Sequence, residues 1–250
     1  MDSNIINIGD KIDIRVLQQT EKEKATGIMP KVYKSRIQDI KQDGLLEISM
    51  PMYKGRMVLL SAGIRYQCVF YTKLGLYRCS VQVKEQYKVG KMYMLLMEPK
   101  SPIEKFQRRE YFRFECAMDM EYCKITEEEA ELDEVEAIKK HHKNLFPESK
   151  MLPGIAVDLS GGGIRFVAEE EGERGEFLLL SIILESVDVS HLLEVAGQVL
   201  SCKKIENKSA KKSEAEKYEY RVQFLTRDQR KREIIIKYIF EQERKNRQKG

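Results

Sequence analysis

Gln107-Arg108-Arg109-Glu110-Tyr111-Phe112-Arg113 decides how this chain reads, together with Asp158-Leu159-Ser160-Gly161-Gly162-Gly163 further on. The first stretch sets three arginines within seven residues, at the point where the composition changes from one domain to the next. The second sets a carboxylate, a hydroxyl and a glycine turn at the end of an apolar run. Arginine forks bind phosphate oxygens or the O6/N7 edge of guanine. A carboxylate accepts from the guanine N1 and N2 hydrogens, and a glycine loop offers backbone N–H groups. Together they offer what a small phosphorylated guanine ligand needs.

Upstream of this pair, residues to about Pro99 read as all-β. Ile12, Ile14 and Val16 alternate with Asp13 and Arg15, the period of a half-buried strand. Further strands are expected at Val32–Ile40, Leu45–Ser49, Met57–Leu60, Ile64–Tyr71, Leu76–Val83 and Met92–Leu96, with Asp43-Gly44 as a hairpin turn. Many short strands at near-regular spacing predict a small barrel or sandwich. Pro99-Lys100-Ser101-Pro102 interrupts the pattern, because neither proline can donate to a sheet ladder. The reading is a first domain over residues 1–99, a connector over 100–107 and a second domain over 108–250.

Downstream of the arginines, Tyr111–Tyr122 reads as extended, which would project Arg109 and Arg113 from one face. Thr126 and Glu129 make a capping box for a helical insertion over residues 127–146, acidic early and basic late. Leu132, Val135, Ile138 or Lys139, and His142 form its weak apolar stripe, and Pro147 ends it. Strands resume at Ile155–Leu159, Ile164–Ala168, Phe177–Leu184, Glu194–Cys202 and Tyr218–Leu225. Lys203–Lys217 is a mixed-charge hairpin tip. A terminal helix over about 227–246, capped by Thr226 and Gln229, carries Ile234, Ile235, Tyr238 and Ile239 on one face, expected to dock on its own barrel.

The whole chain of 250 residues is long enough for two modest domains with their own cores. Its 44 basic and 40 acidic residues leave +4, too mild to imply a polyanion partner. No apolar run approaches the length of a membrane span, and the opening Met1-Asp2-Ser3-Asn4 lacks the features of a signal peptide. Cys68, Cys79, Cys116, Cys123 and Cys202 are odd in number and widely spaced, as scattered thiols in a reducing compartment would be. The expectation is a cytoplasmic protein without a metal.

Taken singly, each motif has a plainer explanation. Arg108, Arg109 and Arg113 could be a solvated basic patch, and the glycine run a tight turn with Asp158 and Ser160 capping backbone. The glycines are not a P-loop, since no Gly-Lys-Ser/Thr follows, and Ser160 is not in a Gly-x-Ser-x-Gly elbow. Taken in order, Arg109-x-x-x-Arg113 followed by Asp158-x-Ser160-x-x-Gly163 resembles the signature of PilZ-domain proteins. An all-β first domain, then Met97-Glu98-Pro99, then the arginine stretch, resembles the YcgR-type flagellar brake architecture over nearly the whole chain. Two departures from the family pattern are the 127–146 insertion between the motif halves and the absence of a glycine in Tyr220-Arg221-Val222-Gln223-Phe224.

The resemblance implies a mainly β chain of two small barrels in tandem. The N-terminal one would be a split barrel and the C-terminal one a six-stranded PilZ barrel. It implies binding of cyclic di-GMP as ligand, with no cofactor. Arg109 and Arg113 would grip phosphate and guanine edges, Arg108 would add a contact sensitive to domain orientation, and Asp158 would accept from a guanine edge. Ser160, Gly162 and Gly163 would shape the turn that admits the ligand. The output implied is a change of interdomain arrangement that acts on a flagellar motor protein (stator or switch), with control of exopolysaccharide synthesis as the alternative output.

Two rival classes are weaker on the residues. An enzyme would need clustered carboxylates, metal ligands or a nucleophile, whereas His141, His142 and His191 are the only histidines and the adjacent pair is expected to point apart on a helix. A nucleic-acid-binding barrel would use Arg109-Glu110-Tyr111-Phe112-Arg113-Phe114 as a basic-aromatic strand, but Glu110 and Glu115 interrupt it.

Overall fold

A computed structural model describes residues 5–17, 31–132, 134–186, 189–206, 215–226 and 228–249. The opening Met1–Asn4, most of the lysine-rich tip (207–214) and the expected first residue of the terminal helix (227) lie outside the described residues. The chain divides into two compact units, Met1–Arg108 and Arg109–Gly250.

The first unit contains β1 (Lys11–Val16), β2 (Tyr33–Ile40), β3 (Leu46–Ser49), β4 (Met52–Tyr53), β5 (Arg56–Met57), β6 (Arg65–Thr72), β7 (Gly75–Val89), β8 (Met92–Pro99) and β9 (Glu104–Lys105). Six of them follow the order β1-β6-β7-β8-β3-β2, and β2 pairs back onto β1 through Lys11↔Arg36 to Ile14↔Tyr33, which closes a barrel. Alternation sets its interior: Ile12, Ile14, Ile37, Ile48, Phe70, Val81 and Leu95 are buried. Asp43-Gly44 turns between β2 and β3 as expected, with Gly44 at φ 82° and the Leu45 N–H donating to the Asp43 carboxylate at 3.2 Å. The expected connector is partly strand. Tyr77 pairs with Lys105 and Arg78 with Glu104, so β9 is held against β7.

The second unit contains β10 (Arg113–Ile125), α1 (Glu127–Ala130), α2 (Val135–Leu145), β11 (Leu152–Ser160), β12 (Gly163–Ala168), β13 (Phe177–Glu185), β14 (Ser190–Lys204), β15 (Tyr218–Phe224) and α3 (Gln229–Lys249). A closed barrel runs β10-β11-β12-β15-β14-β13. Its core centres on Tyr122, Phe166 and Tyr220; the Phe166 and Tyr220 rings stack at 4.6 Å with 8° between planes. Ile235, Tyr238 and Ile239 of α3 join this core, and Tyr238 meets Phe114 edge to face at 6.2 Å. The terminal helix therefore docks on its own barrel. Its cap differs from expectation: the Arg230 N–H donates to Asp228 Oδ1 at 2.8 Å, so Asp228 occupies the capping role assigned to Thr226.

The insertion forms two helices where one was expected. The Thr126–Glu129 capping box is present, but α1 ends after one turn and Glu134 re-enters α2 from an extended conformation. Glu127, Glu128, Glu129 and Glu131 crowd like charges on the short helix, which disfavours its continuation. Breaking there lets Val135 and Ile138 pack on Cys123, Ile125, Leu179 and Ala196, while Leu132 stays outside this cluster. The adjacent histidines share one partner. His141 Nδ1 and His142 Nδ1 both reach the buried Glu129 carboxylate, at 3.3 and 3.1 Å. Glu129 comes from another helix, so the two rings need not share a direction to share a partner.

Candidate functional site

The signature turn grows from the pairing of β10, β11 and β12. Arg113 lies opposite Ser160, and Asp158, two residues along, faces the same outer wall while Leu159 between them is buried. Ser160 Oγ donates to the Gly163 carbonyl at 3.0 Å, which closes the turn. Gly163 is dictated by a close approach: a Cβ there would lie 2.3 Å from the Val222 carbonyl oxygen of β15. The Gly162 carbonyl accepts from the Phe224 N–H at 3.0 Å, so the turn is stitched to the same strand.

Tyr111 covers this turn. Its ring would meet a Cβ on Gly161 at 2.7 Å and one on Gly162 at 3.0 Å, and the Arg232 guanidinium of α3 lies 5.6 Å from its centroid. Seating that ring requires the backbone to bend at residues 110–111, and regular strand begins only at Arg113. The expectation that Arg109 and Arg113 share a strand face is overturned for this reason: Arg109 precedes the bend. Both side chains are exposed.

Asp158 is almost buried and already has a cation. Arg165, directly across on β12, donates from Nε to Asp158 Oδ2 at 2.9 Å and from Nη1 to Glu219 Oε2 at 3.0 Å. Arg221 donates to the other Glu219 oxygen at 3.1 Å. Burial pulls the Glu219 carboxyl upward, but hydrogen bonds from Arg165 and Arg221 outweigh it and hold the group below the ordinary carboxylate range. The Arg165 guanidinium is raised, first by Glu219 and then by Asp158.

Arg108 belongs to the first unit. Its Nη1 donates to the Tyr71 hydroxyl at 3.0 Å and its guanidinium lies 5.5 Å from the Tyr71 ring centroid. Tyr71 in turn donates to Asp13 Oδ2 at 2.6 Å. Consecutive arginines, Arg108 and Arg109, thus fall on different units.

A family profile for the PilZ domain matches residues 107–241. The chain belongs to the PilZ-domain family. A second profile, for the N-terminal domain of the flagellar protein YcgR, matches residues 7–99. Among solved structures, this PilZ protein is similar to the Bacillus subtilis inhibitor of motility (MotI/DgrA), at 20% identity and a TM-score of 0.67, over 97% of this chain and 100% of that one. It is also similar to Escherichia coli YcgR in complex with c-di-GMP, at 14% identity and a TM-score of 0.50, over 96% and 87% of the two chains. At these identities the likenesses show the fold: a mainly β chain of two tandem six-stranded barrels with a C-terminal helix. No curated protein sequence matches the chain.

Within the PilZ barrel, the second motif assembles as one turn facing Arg113. Sequence reasoning missed Arg165, Glu219 and Arg221 as partners of the motif. The available signal was parity: Arg165 follows Gly163 by two, and Glu219 and Arg221 alternate with the buried Tyr218, Tyr220 and Val222, so all three charges share the outer wall with Asp158. Among the described residues, no group of three or more His, Cys, Asp or Glu side chains could hold a metal ion, and no helix is long and apolar enough to cross a membrane.

Proposed function

We propose that this PilZ protein is a non-enzymatic receptor for cyclic di-GMP. What supports the reading most is the outer-wall placement of Arg113, Asp158 and Ser160 on paired strands, at a turn kept open by Gly162 and Gly163. Arg109 and Arg113 bind phosphate oxygens and guanine edges through bidentate, charge-assisted hydrogen bonds. Asp158 accepts from a guanine N1/N2 edge, and Arg165 shares that carboxylate with the ligand or exchanges onto it. E. coli YcgR, a structural neighbour, is described in complex with c-di-GMP.

Ligand binding changes the arrangement of the two units, because Arg108 is carried by the first and Arg109 by the second. The output is regulation of flagellar motility through a protein partner of the motor. The names of the YcgR profile and of the inhibitor of motility favour that output over exopolysaccharide control.

Calorimetric titration with cyclic di-GMP tests the receptor reading. Charge-assisted hydrogen bonds contribute about 1.5–3 kcal/mol each, so Arg109→Ala, Arg113→Ala and Asp158→Ala should each weaken affinity about tenfold or more. Unchanged binding in all three variants overturns the assignment. Linear product after incubation would instead point to an enzyme, and salt-dependent oligonucleotide binding indifferent to cyclic di-GMP would point to a nucleic-acid-binding barrel. Identical scattering profiles with and without ligand would remove the rearrangement while leaving the receptor intact.

A further inference from the structure

Farther along the same barrel, the outer wall carries a row of side chains that ligand binding leaves unused. Val167 on β12 pairs with Ile155 on β11, and Ile155 pairs with Asp119 on β10. Ile183 on β13 pairs with Leu192 on β14. Since Met120 pairs with Ile182 between antiparallel β10 and β13, Asp119 and Ile183 fall opposite each other and complete the row. Four interstrand steps make it about 19 Å long. Three of its apolar members are well exposed: Ile155 at 46%, Ile183 at 55% and Leu192 at 61%. They line a trough of about 710 Å³.

The trough has a consistent charge. Asp119, Glu121 and Glu169 line it against a single base, Lys217. Among the described residues, none of these three carboxylates has a side-chain hydrogen bond or ion pair, although the carboxylates of Asp158, Glu176, Glu194 and Glu219 on the same barrel are all paired with a cation. Exposed apolar side chains clustered together and rimmed by charged groups mark an interaction site.

We propose that this row is a docking surface for an amphipathic helix of a partner protein, with lysine or arginine flanking the helix's apolar stripe. The barrel is closed, so it has no free edge to which a partner strand could add. The row crosses the strands, which leaves a helix laid in the trough as the recurring mode of recognition. At 1.5 Å rise per residue, about 13 helical residues span 19 Å and present anchors at i, i+4, i+7 and i+11. The unpaired acids select the basic flanks by charge complementarity.

The test uses the full chain without nucleotide, so that its outcome is separate from that of the cyclic di-GMP reading. The probe is a labelled helical peptide with four leucine anchors and lysine flanks. Two controls accompany it, one with serine in place of the anchors and one with glutamate in place of the flanks. Fluorescence anisotropy should show saturable binding of the leucine–lysine peptide alone. The double substitution Ile183→Ser and Leu192→Ser should weaken it about tenfold or more, as loss of two central anchors does. Asp119→Lys should weaken it as well and shift preference toward the glutamate-flanked peptide. These side chains are exposed, so thermal melts of the variants should match the parent; Ile155→Ser is the substitute if one does not. Equal binding of the serine-anchored peptide, or affinity unchanged in the variants, overturns the proposal. So does a concentration-dependent dimer that the double substitution abolishes, since a second copy of the chain would then occupy the row.

Discussion

Two rows on the outer wall of the PilZ barrel use the same strands and the same side-chain parity but treat charge in opposite ways. In the row through Asp158, Arg165 and Arg221, Asp158 and the neighbouring Glu219 meet guanidiniums at 2.9–3.1 Å. Arg165 and Arg221 are direct cross-strand neighbours, a repulsive pairing made tolerable by Glu219, which bonds both. In the row through Ile155, Asp119 and Ile183, the apolar side chains are exposed and the acids stand alone among the described residues. In the first row Arg165 holds Asp158, so a ligand that used Asp158, as proposed, would compete with Arg165 for it. The second row is complete only with something laid on it. One barrel wall thus carries a preorganised polar site beside an unsatisfied apolar one.

The largest effect should come from the turn that anchors the polar row. A methyl added by Gly163→Ala would meet the Val222 carbonyl at 2.3 Å and the Gln223 Cα at 3.3 Å, backbone atoms that move only if β15 separates from β12. We expect destabilisation of the second unit by about 2–3 kcal/mol, with loss of cyclic di-GMP binding. Gly162→Ala would meet only the Tyr111 ring, at 3.0 Å, and should cost less. Denaturant unfolding followed by probes on each unit separates this loss from the first barrel's transition. Equal shifts for the two variants would show that the turn, and not the strand contact, limits the site.

Arg165→Ala should have a middling effect. It leaves Asp158 almost buried without its cation and removes one of the two guanidiniums on Glu219. Partial exposure of the pairs limits the expected loss to about 1–2 kcal/mol. Arg165→Lys should recover only part of it, because a single ammonium nitrogen replaces the planar fork whose Nε and Nη1 each reach one carboxylate. The pH dependence carries a definite sign. The Glu219 carboxyl is held below its ordinary value of 4.5, so its contribution is fully present above that value and is lost as pH falls through the lowered one. The parent should therefore lose its advantage over Arg165→Ala as pH drops below about 4.5. An advantage constant down to pH 3 would mean that Arg165 acts through packing alone.

Much of this barrel was legible in the sequence because burial on one side of a strand imposes period two. Tyr218, Tyr220, Val222 and Phe224 announced their strand this way, as did Ile12 and Ile14 in the first barrel. Closure was harder to read, since the pairing of β1 with β2 depends on residues far apart in the chain. The glycine turn was legible as a motif, but the reason for Gly163 lies at Val222, in the last strand of the barrel. Arg165 was invisible for a related cause: an arginine on the exposed face of a strand looks like any solvated cation until Asp158 and Glu219 are placed beside it. The straight extension from Arg109 to Arg113 failed because Tyr111 gains more by covering two glycines than by continuing the strand.

The smallest effect should come from the apolar row, and its smallness is informative. Asp119→Asn removes a charge with no side-chain partner among the described residues from an exposed position, so stability should stay within about 0.5 kcal/mol of the parent. Asp158→Asn makes the same chemical change one row away and should cost more, because Asp158 is nearly buried and its loss of charge leaves Arg165 Nε without its anion. Measured side by side by denaturant unfolding, the two substitutions hold residue type, strand pair and parity constant and vary the partner and the burial. If they cost the same, the paired row owes nothing to its pairing and the contrast between the rows disappears. If Asp119→Asn is silent in stability yet weakens the lysine-flanked peptide, its carboxylate serves binding and not folding.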